Sequence, residues 1–429
     1  MYIGSHRKLV ITGLLLVIAT GAIVYTSFIF QTSKGDVPES TTKTLPNTLL
    51  ETQASIEKIS LNGLSFLVAS SIHPVLRPGA EASAETIAVK DGWTNQFAGV
   101  MGNVSHMYPG SDLLSLRRDG TRLYLDRINI KTKNNLPSIV LGILSDSTNT
   151  DESRTVDEVK DFSINTDTRT ISYVIRRKIL YNDPIGIVQP DSTAEIWSFT
   201  YPDQPPQKIT TLQPLDIGKS LASNTEEYDL PEQAYLQQGQ FVLQYGAGLA
   251  QFNPATKKLI MIDTEGWNSF IRYSASPTGK YGVLYVYRDH STSEKTAYEN
   301  HIYVLDTTFA LKEVAYPVDD TVSTMSWSPQ EDFVVLGFNL GEIASVNIGI
   351  KQLKQLKLPQ TTSGRVVDLY DVLSENTILI GKQDANGQLD EVPTYDPNGL
   401  TQMVVWNYSS NTLTQVGNYR TPQYIGPVQ

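Results

Sequence analysis

The chain has 429 residues, with 45 acidic side chains against 34 basic ones and no cysteine. The missing cysteine excludes disulfides, zinc–thiolate sites and thiol catalysis, and a net charge of −11 argues against a nucleic-acid partner, whose phosphates need a basic surface. The length exceeds what one ordinary core can organise unless that core is modular, and plentiful Ser, Thr, Tyr and Val favour strands and turns over helices.

Residues 1–8 are short and polar, with Arg7 and Lys8 at their end. Residues 9–30 then run without a charge, and a helix of that length rises roughly 33 Å, enough for a bilayer core of about 30 Å. The basic pair before the run, against Lys34 offset by Asp36 and Glu39 after it, predicts a cytoplasmic tail and an exported remainder. A cleaved signal peptide is the competing reading, but Ala19-Thr-Gly-Ala22, the nearest small-x-small site, falls inside the apolar run. Residues 31–52, rich in Ser, Thr and Pro, read as a tether. The expectation is a single-pass plasma (inner) membrane protein whose residues 53–429 lie outside the cytoplasm, in a bacterial envelope.

Beyond the tether one pattern recurs. Tyr273-Ser-Ala-Ser-Pro-Thr-Gly-Lys-Tyr281 runs into Gly282-Val-Leu-Tyr-Val-Tyr287, and Met325-Ser-Trp-Ser-Pro-Gln-Glu-Asp-Phe333 runs into Val334-Val-Leu-Gly-Phe338. Each is a strand ending in Ser-Pro, a tight polar turn and an apolar strand. Weaker copies begin at Ser115, Ser163, Ala234 and Tyr370, and Asn62-Gly63 before Leu64 supplies one more. Seven units at a spacing of roughly 40–50 residues predict an all-β propeller of about seven four-stranded blades, with six and eight as the neighbouring counts. Leu64-Ser-Phe-Leu-Val68 and Met403-Val-Val-Trp406 are expected to share the blade that closes the ring.

The Ser-Pro turn, the apolar strand after it and Ile302-Tyr-Val-Leu-Asp306 together resemble the WD40-like β-propellers of the TolB type. Ser326-Trp-Ser-Pro329 matches that family's blade motif well, Ser274-Ala-Ser-Pro277 nearly so, and the other copies lack the proline. The resemblance implies architecture only, since propellers host scaffolds, peptidases, glycosidases and lyases alike.

Blade phasing places the long connections. Residues 182–194, 288–300 and 383–401 join second to third strands, whereas 213–232 and 145–161 join one blade to the next. Alternating strand direction puts all five at one end of the ring. They hold 20 acidic and 5 basic residues, a net of −15. From residue 35 onward the chain as a whole has 45 acidic and 31 basic residues once Arg7, Lys8 and Lys34 are set aside, a net of −14. An acidic face of this kind would attract a basic protein, peptide or cation. Its candidate contacts are Asp183, Asp191, Glu226, Glu227, Asp229, Arg288, Asp289, His290, Asp390, Glu391, Tyr395 and Asp396. The bland alternative is that long exposed loops are acidic for solubility alone.

Signals of chemistry are sparse. Arg288-Asp289-His290, with His301 closing the same loop, is the one mixed titratable cluster, and more often such a group is a solvated loop tip. Asp384, Asn386 and Asp390 place oxygen ligands around a Gly turn, a fragment of a calcium loop that lacks its full pattern. Calcium is the one cofactor left open, and none is otherwise expected. No Gly-x-Ser-x-Gly elbow or His-x-x-x-His spacing occurs. The sequence therefore reads as a membrane-anchored protein-binding or scaffolding propeller. The alternative is a propeller-fold hydrolase that works on glycan or peptide through loop carboxylates.

Overall fold

The computed structural model describes residues 53–427 apart from the connections at 62–63, 73–88, 95–104, 109–111, 130, 133, 146–152, 182–189, 217–227, 247, 263–268, 290–297, 316–319, 360–364, 384–399 and 421–422. The tail, apolar run and tether expected at 1–52 lie outside these residues. Among the described residues no helix is long and apolar enough to cross a membrane.

Described secondary structure is all β, gathered with residues 52–429 into one unit. Seven sheets follow one another, each antiparallel. Sheet I takes Gln53–Leu61, Leu64–Ile72 and Val89–Thr94 from one end of the chain and Gln423–Pro427 from the other. Sheet II is Ser105–Tyr108, Asp112–Asp119, Arg122–Asn129 and Asn134–Ile143. In sheet III both Ser153–Glu158 and Phe162–Asn165 pair with Thr170–Tyr181, followed by Thr193–Thr200 and Gln207–Leu212. Sheet IV is Gln233–Gln237, Gln240–Gln244, Leu249–Asn253 and Lys258–Ile262. Sheet V is Ser269–Ala275, Gly282–Asp289, Tyr298–Leu305 and Leu311–Val314. Sheet VI is Val322–Trp327, Phe333–Phe338, Ile343–Asn347 and Gln352–Leu356. Sheet VII is Arg365–Ser374, Thr377–Gln383, Leu400–Asn407 and Thr412–Arg420. A two-stranded ribbon, Leu215–Asp216 with Tyr228–Asp229, sits between sheets III and IV in the chain.

Second strands show why single sheets cannot stand alone. Every residue of Phe333–Phe338 is buried, as are six of the seven in Thr377–Gln383, so both faces are apolar and both need cover. Neighbouring sheets provide it. Leu114 and Leu125 pack with Ile171 and Tyr173, joining II to III. Val174 and Ile196 meet Leu243 and Phe252, and Val242 and Leu249 meet Ile271 and Leu284. Tyr285 and Ile302 meet Val334 and Leu336, and Val335 and Ile343 meet Ile378 and Ile380. Leu379 and Met403 return to Phe66 and Val68, and Gln423–Pro427 lies against Ser105–Tyr108. The chain of contacts thus comes back to sheet I, as expected of propeller blades. Each fully buried Val, Leu or Ile in these interfaces contributes about 1.5–3 kcal/mol.

The structure corrects the sequence reading in two places. Met403–Trp406 belongs to the third strand of sheet VII and does not share a sheet with Leu64–Val68; the two segments pack face to face instead. Gln423–Pro427 pairs with Leu64–Ile72, and its proline is tolerated because the strand stands at a sheet edge. Phasing was also one strand out at the first two repeats. Ser115 lies on the second strand of sheet II because the first, Ser105–Tyr108, is only four residues long. Asn62-Gly63 likewise falls between two central strands of sheet I. The copies at Ser163, Ala234, Tyr273, Met325 and Tyr370 mark first-to-second-strand turns as expected.

Candidate functional site

The Ser-Pro turns are local hydrogen-bond devices. The buried Ser328 hydroxyl donates to Asp332 at 2.5 Å and accepts from the Asp332 and Phe333 N–H groups at 3.1 and 3.2 Å. Ser276 accepts from the N–H groups of Lys280 and Tyr281, both at 3.1 Å. These turns then bond to one another. Glu331, buried and held at φ 59°, accepts from the Thr278 N–H at 2.5 Å and from its hydroxyl at 2.6 Å. Trp327 Nε1 donates to Ser274 Oγ at 3.0 Å. Asn165 of sheet III donates to the carbonyls of Leu236 and Thr278 at 2.9 and 2.8 Å, and the Thr166 N–H donates to the Pro277 carbonyl at 2.7 Å. Sheet III is thereby linked past sheet IV to sheet V. Gly279 sits in this junction at φ +69°, where a Cβ would lie 2.3 Å from the Leu236 carbonyl and 2.4 Å from Asn165 Nδ2.

Positive-φ residues other than glycine concentrate at the same end. Arg169, Gln238 and Glu331 lie in first-to-second-strand turns, and Lys257, Phe309, Lys351 and Asn411 in third-to-fourth-strand turns. Strand alternation puts both turn classes at one end of the ring, the motif-turn end. The long connections leave from the other, the loop end, but 145–161 is not one connection throughout: Ser153–Glu158 is a strand paired with Thr170–Tyr181, so Asp157 and Glu158 belong to sheet III.

Most of the sequence-predicted contacts lie on those connections outside the described residues: Asp183, Glu226, Glu227, His290, Asp390, Glu391, Tyr395 and Asp396, together with the calcium candidates Asp384 and Asn386. Among the described residues no three His, Asp or Glu side chains gather to hold a metal ion. Asp191 is exposed in a turn before Thr193–Thr200. Asp289 ends the second strand of sheet V, and Arg288 beside it is buried. His301 does not stand free to act as a base: Glu313 lies 2.8 Å from its Nδ1 and Glu299 3.4 Å from its Nε2.

Asp229 is drawn inward. Its carboxylate accepts from the Leu230 and Gly246 N–H groups, both at 2.8 Å, and burial pushes its pKa up. Nearby, the buried Arg176 donates to Glu158 at 2.6 Å and to Glu232 at 3.2 Å; Lys178 meets Glu158 at 2.7 Å and Lys160 meets Glu232. Burial raises the Glu158 pKa, but Arg176, with Lys178 and Lys160, outweighs it and leaves the group below the usual carboxylate range. Asp157 bonds Arg177 at 3.1 Å. Arg176, Arg177 and Lys178 all lie on Thr170–Tyr181, outside the loops, so counting loop residues alone overstated the free negative charge of that end.

Between the first strands of sheets IV, V and VI lies a cavity of about 240 Å³, lined by Gln233, Gln244, Arg272, Tyr273, Ser274 and Met325. Sequence reasoning missed it, because its walls come from three repeats and no linear pattern marks them. Arg272 bonds the Ser323 carbonyl across the gap between sheets V and VI. Tyr273 donates to Gln237, and the Tyr235 hydroxyl donates to Gln233.

No family model and no curated protein matches this chain. Solved structures resemble it distantly. An oligogalacturonate lyase in complex with manganese is 11% identical with a TM-score of 0.43, covering 79% of this chain and 84% of its own. An acylaminoacyl peptidase from Pyrococcus horikoshii is 10% identical with a TM-score of 0.47, covering 85% of this chain and 50% of its own. The β-propeller domain of the trilobed protease from Pyrococcus furiosus is 10% identical with a TM-score of 0.45, covering 85% and 92%. Likeness at this level says nothing of activity, and the β-propeller architecture stands on the seven sheets and the interfaces that join them.

Proposed function

We propose that this chain is a seven-bladed, TolB-like propeller, tethered to the plasma membrane by residues 9–30, that binds a basic protein or peptide in the cell envelope at its loop end. The asymmetry of the two ends carries this reading. Cross-bonded turns knit the motif-turn end, whereas the long connections leave from the other, and connections on a rigid scaffold are where contacts are usually made. The charge of those connections gives the partner its sign. Even with Arg176, Arg177 and Lys178 set against the loop count of −15, twelve negative charges are in excess. Glu158, Glu232 and Asp229 hold cations or backbone N–H groups, which suits a scaffold better than a hydrolase needing a paired acid and base. The test is cross-linking of the full-length protein in membranes, followed by affinity capture at low and high salt. A stoichiometric partner released by salt is the expected result. Capture insensitive to salt would remove charge from the account, and no partner at all would remove the scaffold reading.

A further inference from the structure

We propose that the cavity between sheets IV, V and VI receives the C-terminal carboxylate of a peptide, with Arg272 as its anion contact; the peptide's basic character rests on the function proposed above. The cavity's position supports this. Gln233 begins its strand and Gln244 ends the next, so both stand at the loop end, while Arg272, Tyr273 and Ser274 carry the wall inward along the first strand of sheet V. The cavity is therefore reached from the loop end.

The lining sets the chemistry. Arg272 is its one charged residue, positive in a chain with a net charge of −11, and a guanidinium is the side chain that grips a carboxylate in a fork. Its bond to the Ser323 carbonyl steadies it between sheets V and VI. A single cation suits a monoanion better than a phosphate. The amides of Gln233 and Gln244 supply donors and acceptors of the kind a peptide backbone pairs with, and Met325 adds an apolar surface for a side chain. Tyr273 is packed into the core with Ile271 and Leu284 and so offers no open ring for stacking on a sugar. At about 240 Å³ the cavity lies below the roughly 300–1,000 Å³ of sites for drug-sized ligands, a size for the last one or two residues of a chain.

The experiment titrates full-length protein in detergent with N-acetyl-Lys-Lys-Gly-Ala as the free acid and as the C-terminal amide, with glucuronate as a sugar-acid control. The expected result is binding of the acid about tenfold tighter than the amide, as one charge-assisted contact supplies. That preference should vanish in Arg272→Gln and survive in part in Arg272→Lys, with unchanged melting curves. Equal binding of acid and amide, binding of neither, or tighter binding of glucuronate would overturn the proposal. The Asp390, Glu391 and Asp396 to Lys variant separates the two readings. Loss of affinity for acid and amide alike supports the acidic loops. An intact acid preference without such loss would sink the loop reading and leave the cavity standing.

Discussion

At the motif-turn end, side chains close on one another; at the loop end, they close on charges. Glu331 at the first spans two sheets through one threonine, accepting two hydrogen bonds from a backbone position that few residues adopt. Arg176 at the second spans Glu158 and Glu232, on segments that lead away into long connections. Contacts of the first kind depend on shape, since they seat side chains on turn N–H and hydroxyl groups at a fixed backbone geometry. Contacts of the second kind depend on protonation and salt, and they tolerate loops of any length beyond them. The comparison teaches that one ring can keep rigidity and adaptability at opposite ends, with the apolar interfaces between sheets as the common support.

Breaking the rigid end should cost most. Gly279→Val forces a β-branched residue into the left-handed region and into two neighbours, and should lower unfolding free energy by about 3 kcal/mol or more, read from denaturant midpoints. Ser328→Ala leaves the turn N–H groups of Asp332 and Phe333 without their acceptor and should cost about 1–3 kcal/mol by the same measurement. At the loop end the effect should depend on pH. Glu158 titrates below its usual range in the folded state, so its contribution is present above the ordinary carboxyl value and is lost as pH falls through the lowered one. Wild type should therefore exceed Glu158→Gln in stability near neutral pH, and the gap should close on acidification; a gap that widens in acid would contradict the ion-pair account. Asp229 has the opposite sign, its share declining as pH rises through its raised pKa, so the comparison must be made against a variant and not from wild type alone. Smallest of all should be the effect of reversing Asp390, Glu391 and Asp396 to Lys, which is expected to weaken capture of a basic partner while leaving the melting curve in place. A large loss of stability would show that the two ends are not distinct.

Strand-turn-strand units with the Ser-Pro device could be read directly, because one hydroxyl satisfies two turn N–H groups within five residues and leaves a fixed local pattern. A second signature was there to find. Asn253, Asn347 and Asn407 end a third strand and Asp306 directly follows one; each accepts from N–H groups two to four residues on, around the positive-φ residues Lys257, Lys351, Asn411 and Phe309. The phase of sheet II was misread because Ser105–Tyr108 is too short to show a period, and Gln-Tyr-Ile-Gly-Pro at 423–427 does not look like a strand until its partner is known. At the site, loop acids were legible and their strand cations were not. Arg176 and Glu232 stand 56 positions apart, and no local window joins them. The cavity around Arg272 was hidden for the same reason, since it belongs to three sheets at once.

The pairing of Gln423–Pro427 with Leu64–Ile72 also sets an order of events. A ribosome delivers the partner of Leu64–Ile72 some 350 residues late, and until then that strand offers an unpaired edge to whatever lies nearby. An unfinished chain is therefore a chain with a sticky border, and its safety until synthesis ends depends on the speed of synthesis or on a chaperone holding that border covered. Proteolytic trimming of a few residues around 423–427 would reopen the ring at its seam, which makes this short strand a sensitive point for quality control in the finished molecule.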